Sequence, residues 1–284
     1  MSMFDDKKRM RRHTLNTIFT VICYISVAIG VAVLASTMYT LFSKGIMAIN
    51  LSLFIENLPP LGADGGLKNA ILGSLIITVS AVVISAPIGI LIATNLTEFP
   101  TKGKLGSAVR FVNDILLSAP SIIIGLFVYS IVVRALGHFS ALAGIIALAL
   151  IAIPMIVRTS EDVMKIIPSN LREAAVSLGV PRWKVTVFVI YKTAKAGLIT
   201  GVILAMARVA GETAPLLFTV LNNQFPNYNI LTPMANLPVV MFQYAMSPYE
   251  NSQQLAWAAA FLITMAILFT NILTRFFFSR SRNK

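Results

Sequence analysis

Charged residues are scarce in this sequence, and cysteine and histidine are scarcer still. Only 12% of the 284 residues are Asp, Glu, Lys or Arg, whereas a soluble domain carries about 25%. The single cysteine, Cys23, excludes an internal disulfide, so nothing indicates an oxidised extracellular domain. The two histidines, His13 and His138, fall near opposite faces of the membrane in the topology derived below, which excludes a metal site shared between them.

Apolar residues dominate instead, at 57% of the chain. Runs of about 18 or more apolar residues are typical of membrane spans. Six are predicted, at about 16–42, 68–94, 111–134, 141–157, 196–222 and 255–275. The first run exceeds the 7–15-residue core of a signal peptide, so we expect an uncleaved helix. The sequence therefore predicts an all-α polytopic membrane protein, with a transmembrane domain 16–275 between short tails 1–15 and 276–284.

The net charge of +12 could indicate nucleic-acid binding, but the positions of the positive residues argue against it. Of the 23 lysines and arginines, 19 lie in the N-terminal tail, in 95–110, in 158–195 or from residue 275 onward. Such clusters between apolar runs mark cytoplasmic loops. We expect a multi-pass protein of the cell (inner) membrane, in contact with lipid, with both termini in the cytoplasm and no nucleic-acid partner.

A short capped helix is predicted in the loop 158–195. Asn170 can cap its start, with Glu173 three residues later, as in a capping box. Gly179 suits the left-handed position after the helix, and Pro181 can begin the next one. One face of the helix would be apolar, formed by Leu171, Ala174, Ala175 and Leu178.

A helix of two turns is not stable alone, so it must dock on a surface. The pattern leaves open whether that surface is this chain's own loops, lipid headgroups or another protein.

Two charged residues lie inside the fifth span. Arg208 follows Lys195 by 13 residues, about 20 Å along a helix, which places it near the middle of the bilayer. A charge there costs roughly 2.5–3.5 kcal/mol or more, so such residues face a bundle interior or a wet cavity. Glu212 lies one turn further on. The pair could neutralise itself as a structural ion pair, or it could serve a passing oxyanion.

Small residues share the face that carries this charged pair. At 100° per residue, Gly197, Gly201 and Ala205 fall on the same wedge as Arg208 and Glu212. Small residues permit close helix approach, so this face is expected to pack tightly at one end and to present its charges at the other.

A hinge is predicted beside Glu212. Pro215 cannot donate a hydrogen bond to the carbonyl of Gly211, which predicts a kink at Gly211 and Pro215.

Several of these segments resemble a known family. Glu173-Ala174-Ala175, three further residues and Gly179 resemble the EAA loop of ABC-importer permeases. That pattern continues in the family with Ile-x-Leu-Pro, where this chain has Val189-Ile190-Tyr191-Lys192. Longer stretches resemble phosphate permeases of the PstA type: 57–74, 86–91, 118–129 and 207–219.

The resemblance implies a type I ABC-importer permease fold with six transmembrane helices and a cytoplasmic coupling helix. It implies four partners: a homologous second permease, two copies of an ATP-binding subunit, a periplasmic phosphate-binding protein and inorganic phosphate. Glu173, Ala174, Ala175 and Gly179 would couple to the ATPase, and Arg208 and Glu212 would lie on the substrate pathway. The chain has no Walker motif, so we expect no cofactor on it, with ATP bound by the partner subunit.

Three other functions were weighed against this one. A secondary anion transporter acting alone would need coupling carboxylates at mid-membrane, whereas only Glu212 lies deep. An intramembrane enzyme would need a nucleophile and base, or metal ligands, at one depth. Both histidines lie outside the apolar core and Glu212 has no second deep carboxylate beside it, so we expect a non-catalytic subunit. Permeases for sulfate, molybdate or phosphonate remain alternatives, although the stretch 207–219 favours phosphate.

Overall fold

All regular secondary structure in the described residues, 3–99 and 104–279 of a computed structural model, is helical. This confirms the all-α class. Residues 1–2 of the predicted N-terminal tail and 280–284 of the C-terminal tail lie outside this range. In chain order the helices are α1 (Met3–Met47), α2 (Ser52–Ile55), α3 (Lys68–Glu98), α4 (Lys104–Ser118), α5 (Ser121–Val128), α6 (Arg134–Leu136), α7 (Ala141–Lys165), α8 (Ser169–Ser177), α9 (Arg182–Val185), α10 (Tyr191–Val209), α11 (Ala214–Thr219), α12 (Leu237–Ala245) and α13 (Glu250–Ser279). 

Two π-helical turns join neighbouring helices into longer ones. Tyr129–Val133 connects α5 to α6, and Thr186–Ile190 connects α9 to α10. Within the described residues, five helical stretches are long and apolar enough to cross a membrane: Lys8–Met47, Lys68–Glu98, Ala141–Lys165, Arg182–Val209 and Glu250–Thr274. 

The region predicted as one span at 111–134 contains two helices instead. Lys104–Ser118 and Ser121–Leu136 meet at an angle of 104°. Pro120 has no N–H to donate and disfavours helical backbone at the residue before it, which accounts for a break at this point. The segment 118–121 is Ser-Ala-Pro-Ser, which is short and uncharged, so hydropathy alone gives no sign of the bend.

The region predicted as a span at 196–222 also differs in outline. Its helix begins earlier, at Arg182, and ends at Val209, with four residues, 210–213, between it and the start of α11. Pro215 lies in the first turn of α11, where a missing N–H removes no helical hydrogen bond. The backbone is therefore broken around 210–213 rather than kinked within one continuous helix.

Helix α7 forms the centre of the bundle and buries the largest share of its apolar stretch. Helix α10 approaches it closely through glycine. A Cβ added to Gly197 would lie 2.5 Å from Val163 Cγ1, and one added to Gly201 would lie 2.6 Å from Thr159 Oγ1. The small residues of the fifth span thus pack against α7, as small residues do between membrane helices.

Helix α1 is exposed along nearly all of its length. Only its C-terminal end packs on the chain, against α13, where the rings of Phe42 and Phe261 meet edge to face at 5.6 Å. The ammonium of Lys44 lies 5.1 Å from the ring centre of Trp257. Residues 15–38 of α1 require lipid or another protein around them, because their side chains are mostly apolar and exposed.

The end of the bundle opposite α8 is closed by packed loops and α12. The buried hydroxyl of Tyr244 donates to the Pro59 carbonyl, and burial raises the pKa of Tyr244 to about 12. The Asn69 amide donates to the carbonyls of Asn223 and Gln224. Irregular backbone leads from α11 to the short helix α12, which lies before α13.

Candidate functional site

The predicted docking helix exists as α8, but its start differs from the prediction. Pro168 occupies the cap position without a side-chain hydrogen bond, and Asn170 lies within the first turn. The prediction of an Asn170 cap is therefore wrong, since the helix begins at Ser169, two residues earlier than that cap requires. The other end is as predicted: Gly179 has φ +78°, and Pro181 immediately precedes α9.

The surface of α8 is open. Glu173 and Ala174 are exposed, Ala175 is half-buried, and Leu178 retains 83% of its accessible surface. Only Ala175 packs on this chain, against the buried cluster that includes Ile167 and Val185, so most of the predicted apolar face is not packed on the chain's own loops. Of the three surfaces considered for docking, lipid headgroups and another protein are left.

Arg172 is the charged residue of α8 that contacts other helices of this chain. The Arg172 guanidinium donates to both carboxylate oxygens of Glu98, the last residue of α3, at 2.8–3.1 Å. It also donates to the carbonyls of Ile167 at 2.6 Å and Met164 at 2.9 Å, at the end of α7. These hydrogen bonds to Glu98 raise the pKa of Arg172 above its usual value. Arg172 thus ties α8 to the ends of α3 and α7.

A second charged cluster joins the same helix ends. Glu161 of α7 is buried and accepts from Arg110 of α4 at 3.0 Å and from Lys165 at 2.8 Å. Arg110 also donates to the Leu96 carbonyl of α3. No sequence pattern predicted that Glu161, Arg110 and Lys165 would form a cluster. The one available signal was the i, i+4 spacing of Glu161 and Lys165, which is common on exposed helices and therefore weak.

The segment where the family's Leu-Pro is absent forms a π turn continuous with α10. Ile190 is fully buried, and the Tyr191 hydroxyl lies 2.8 Å from the Thr94 hydroxyl of α3. Residues from Arg182 to Val209 consequently form one helical stretch between the α8 turn and the charged pair.

Arg208 lies in the last turn of α10 and is exposed. Glu212 lies in the break after it and is half-buried. The two residues form no ion pair with each other, and neither has a charged partner among residues 3–99 and 104–279. A self-neutralising structural pair is therefore not what the chain forms. Ala205, on the same predicted wedge, is fully buried, so this face changes from packed to open along one turn.

The two predicted hinge residues differ in their surroundings. Gly211 is exposed, and a Cβ there would meet only Ile267 Cδ1 at 3.8 Å. Pro215 is buried and packs on α5, because a Cβ on Gly125 would lie 2.6 Å from its Cα. The helix that follows the break at 210–213 thus rests on the helix that follows the bend at Pro120. Discontinuous helices of this kind occur where membrane transporters bind their substrates.

The model of one protein family matches residues 85–283, and its description is binding-protein-dependent transport system inner membrane component. The chain belongs to this family. Three similar proteins carry the name phosphate transport system permease protein PstA, with "probable" for the third. The Haemophilus influenzae protein is 49% identical over 95% of this chain and 96% of its own. The Pasteurella multocida protein is 47% identical over 94% and 95%, and the Methanocaldococcus jannaschii protein 39% over 74% of each. 

Solved structures bear out the fold. A chain of the MetNI methionine ABC transporter, crystallised in an inward-facing conformation, matches with a TM-score of 0.58. It is 17% identical and covers 76% of this permease and 94% of that chain. A chain of an amino acid ABC transporter matches with a TM-score of 0.57 at 18% identity, over 75% and 92%. The predicted importer-permease fold and the PstA-type resemblance are both confirmed.

Proposed function

We propose that this chain is the permease subunit of an ATP-driven importer of inorganic phosphate and lines half of its translocation pathway. The near full-length relatives named as phosphate transport permeases support the substrate. One observation within the chain carries the proposal: Arg208, a permanent charge in a membrane-crossing helix, is exposed and lacks a charged partner among the described residues. 

An arginine left facing lipid would cost several kcal/mol, so the surface around Arg208 must be covered or wet. A homologous second permease facing this one would cover it and leave a water-lined seam between the two chains. The planar guanidinium donates two parallel hydrogen bonds to a phosphate oxyanion, which suits it to this seam.

Glu212 would partly counteract the attraction of Arg208 for the anion. Its negative charge limits how tightly the anion is held, so that phosphate can leave, and its carboxylate can accept a hydrogen bond from the P–OH group of hydrogen phosphate. Gly211 and Pro215 would serve as the hinge at which the backbone between the two helices changes direction during transport.

The exposed surface of α8 is proposed to dock on the ATPase, through Glu173, Ala174, Ala175 and the turn at Gly179. Two copies of that ATP-binding subunit would bind and hydrolyse the nucleotide, while this chain stays non-catalytic and holds no cofactor. The α8 end and both termini would then lie in the cytoplasm. An extracytoplasmic phosphate-binding protein would deliver the anion at the opposite end.

Reconstitution in lipid vesicles tests this function. The chain is co-expressed with its second permease and ATPase, and uptake of radiolabelled phosphate is measured with the binding protein added on the side opposite the ATPase. We expect uptake that requires ATP and ceases when the ATPase is omitted. Phosphate transport by this chain alone would contradict the proposal and identify a secondary transporter. Competition by sulfate equal to that by phosphate would contradict the substrate.

A further inference from the structure

The assembly around Arg172 has a role beyond holding a loop in place. We propose that Arg172 and Glu98 are a positioning pair that transmits movement of α8 directly to α3, in parallel with the covalent route through α9 and α10. This inference rests on the proposed function, because it assigns the means by which ATPase-driven movement enters the bundle.

Helix α8 makes few other contacts that would hold it to the bundle. It spans nine residues, buries none of its side chains and is joined to α7 by three residues, 166–168. A helix of this length has little stability of its own. Without a side-chain anchor it could move relative to the bundle, and movement imposed on it would be lost in the connecting segments.

Two adjacent residues of α8, Arg172 and Glu173, point in opposite directions. Glu173 is exposed, on the surface available to a partner, whereas Arg172 has a side chain only 26% exposed and contacts the chain itself. The Glu98 carboxylate it contacts is only 7% exposed. A single turn of helix therefore presents one charge to the outside and one to the inside.

The guanidinium of Arg172 is held by hydrogen bonds at several points. All three guanidinium nitrogens of Arg172 are used: Nε and Nη2 donate to Glu98, Nη1 to Ile167, and Nη2 also to Met164. A planar fork held at several points resists rotation as well as separation. Because the Met164 carbonyl belongs to the last turn of α7 and the Ile167 carbonyl to the segment that follows it, α8 is fixed to α3 and to the end of α7 at once.

The receiving helix leads toward the charged pair. Helix α3 ends at Glu98, packs along α7 and α10, and is linked to Tyr191 through Thr94. Nearer its other end, Thr78 and Val79 of α3 line an apolar crevice together with Ala207, which precedes Arg208. A shift of α3 at its α8 end can thus reach the neighbourhood of Arg208 through one continuous helix, which contains Pro87 between the two ends.

The test uses the complete complex and measures phosphate taken up per ATP hydrolysed. We expect Glu98→Gln and Arg172→Gln to keep ATP hydrolysis and to lower this ratio by roughly tenfold, a typical size for coupling between distant sites. Arg172→Lys, which keeps the charge but loses the fork, should give an intermediate ratio. The matched control is Arg158→Gln, which breaks an exposed pair with Asp162 in α7 and should leave the ratio unchanged.

A tethering experiment separates positioning from stability. In a Cys23→Ser background, Glu98→Cys and Arg172→Cys are joined by a short bifunctional thiol reagent that spans the gap left by the two side chains. We expect the untethered protein to hydrolyse ATP without matching uptake, and the tethered protein to recover at least half of the wild-type ratio.

Two results would overturn the pair's role while leaving the proposed function intact. One is a wild-type ratio in assembled Arg172→Gln and Glu98→Gln complexes. The other is failure of both Arg172→Lys and Glu98→Gln to assemble, which would assign the pair to folding. If the wild-type complex itself shows no ATP-dependent phosphate uptake, the proposed function fails instead.

Discussion

At the scale of single residues, the exposure of Arg208 has a measurable consequence. We expect Arg208→Gln to lower phosphate uptake by roughly tenfold or more, since hydrogen bonds to charged groups contribute about 1.5–3 kcal/mol each. Recovery of the assembled complex should be unchanged, because the described residues include no charged partner that the substitution would leave unpaired. Uptake of radiolabelled phosphate and size-exclusion chromatography of the complex are the two measurements.

Arg134→Gln provides the matched control for that substitution. Arg134 is also exposed, but it lies in α6, away from the break at 210–213. Normal uptake by the Arg208 variant, or an equal loss in both variants, would contradict a specific contact between Arg208 and phosphate.

Sequence reasoning reached some of these residues and not others. Arg208 and Glu212 stand out because a charge in an apolar run is conspicuous without any knowledge of the fold. Arg172 and Glu98 do not, because they are 74 positions apart and both lie in polar segments at helix ends. Which charges meet across such a distance is decided by helix packing, and a single sequence carries no record of it.

At the scale of helices, the local signals of α8 had mixed success, since the Asn170 cap was wrong and the turn at Gly179 was right. Gly179 predicted a left-handed turn because glycine has no Cβ to clash there, and the turn is present. The bend of 104° at Pro120 was missed, because the search for spans counted hydropathy and gave the proline no weight. The break at 210–213 was expected only as a kink at Pro215.

The close approach of α10 and α7 gives a prediction at this scale. Gly201→Leu places side-chain atoms where a Cβ would already lie 2.6 Å from Thr159 Oγ1. Overpacking of this kind typically costs about 1–3 kcal/mol. We expect a lower thermal unfolding midpoint and reduced uptake in the assembled complex. Gly30→Leu is the control, because a Cβ on Gly30 of α1 meets no atom within 4 Å; equal destabilisation by both changes would argue against tight α7–α10 packing.

At the scale of the whole molecule, three exposed surfaces indicate that one chain is an incomplete unit. Helix α1 is uncovered over most of its length, α8 presents its predicted apolar face outward, and Arg208 is open at the helix break. Each surface suits a different neighbour: lipid or a second permease for α1, an ATPase for α8, and a facing permease with its aqueous seam for Arg208. The long helix Arg182–Val209, together with the pair of Arg172 and Glu98 that ties α8 to α3, connects the surface of α8 to the surface around Arg208.

The proposed orientation of this unit in the membrane can be tested with single cysteines. The positive residues cluster at the α8 end, and such clusters stay on the cytoplasmic side. In a Cys23→Ser background without the ATPase, a membrane-impermeant maleimide should label Tyr228→Cys, in the exposed loop at the opposite end, in intact spheroplasts. Ser177→Cys, exposed on α8, should react only after permeabilisation. Labelling of Ser177→Cys in intact spheroplasts would invert the topology and place the docking surface for an ATPase on the side of the membrane that has no ATP.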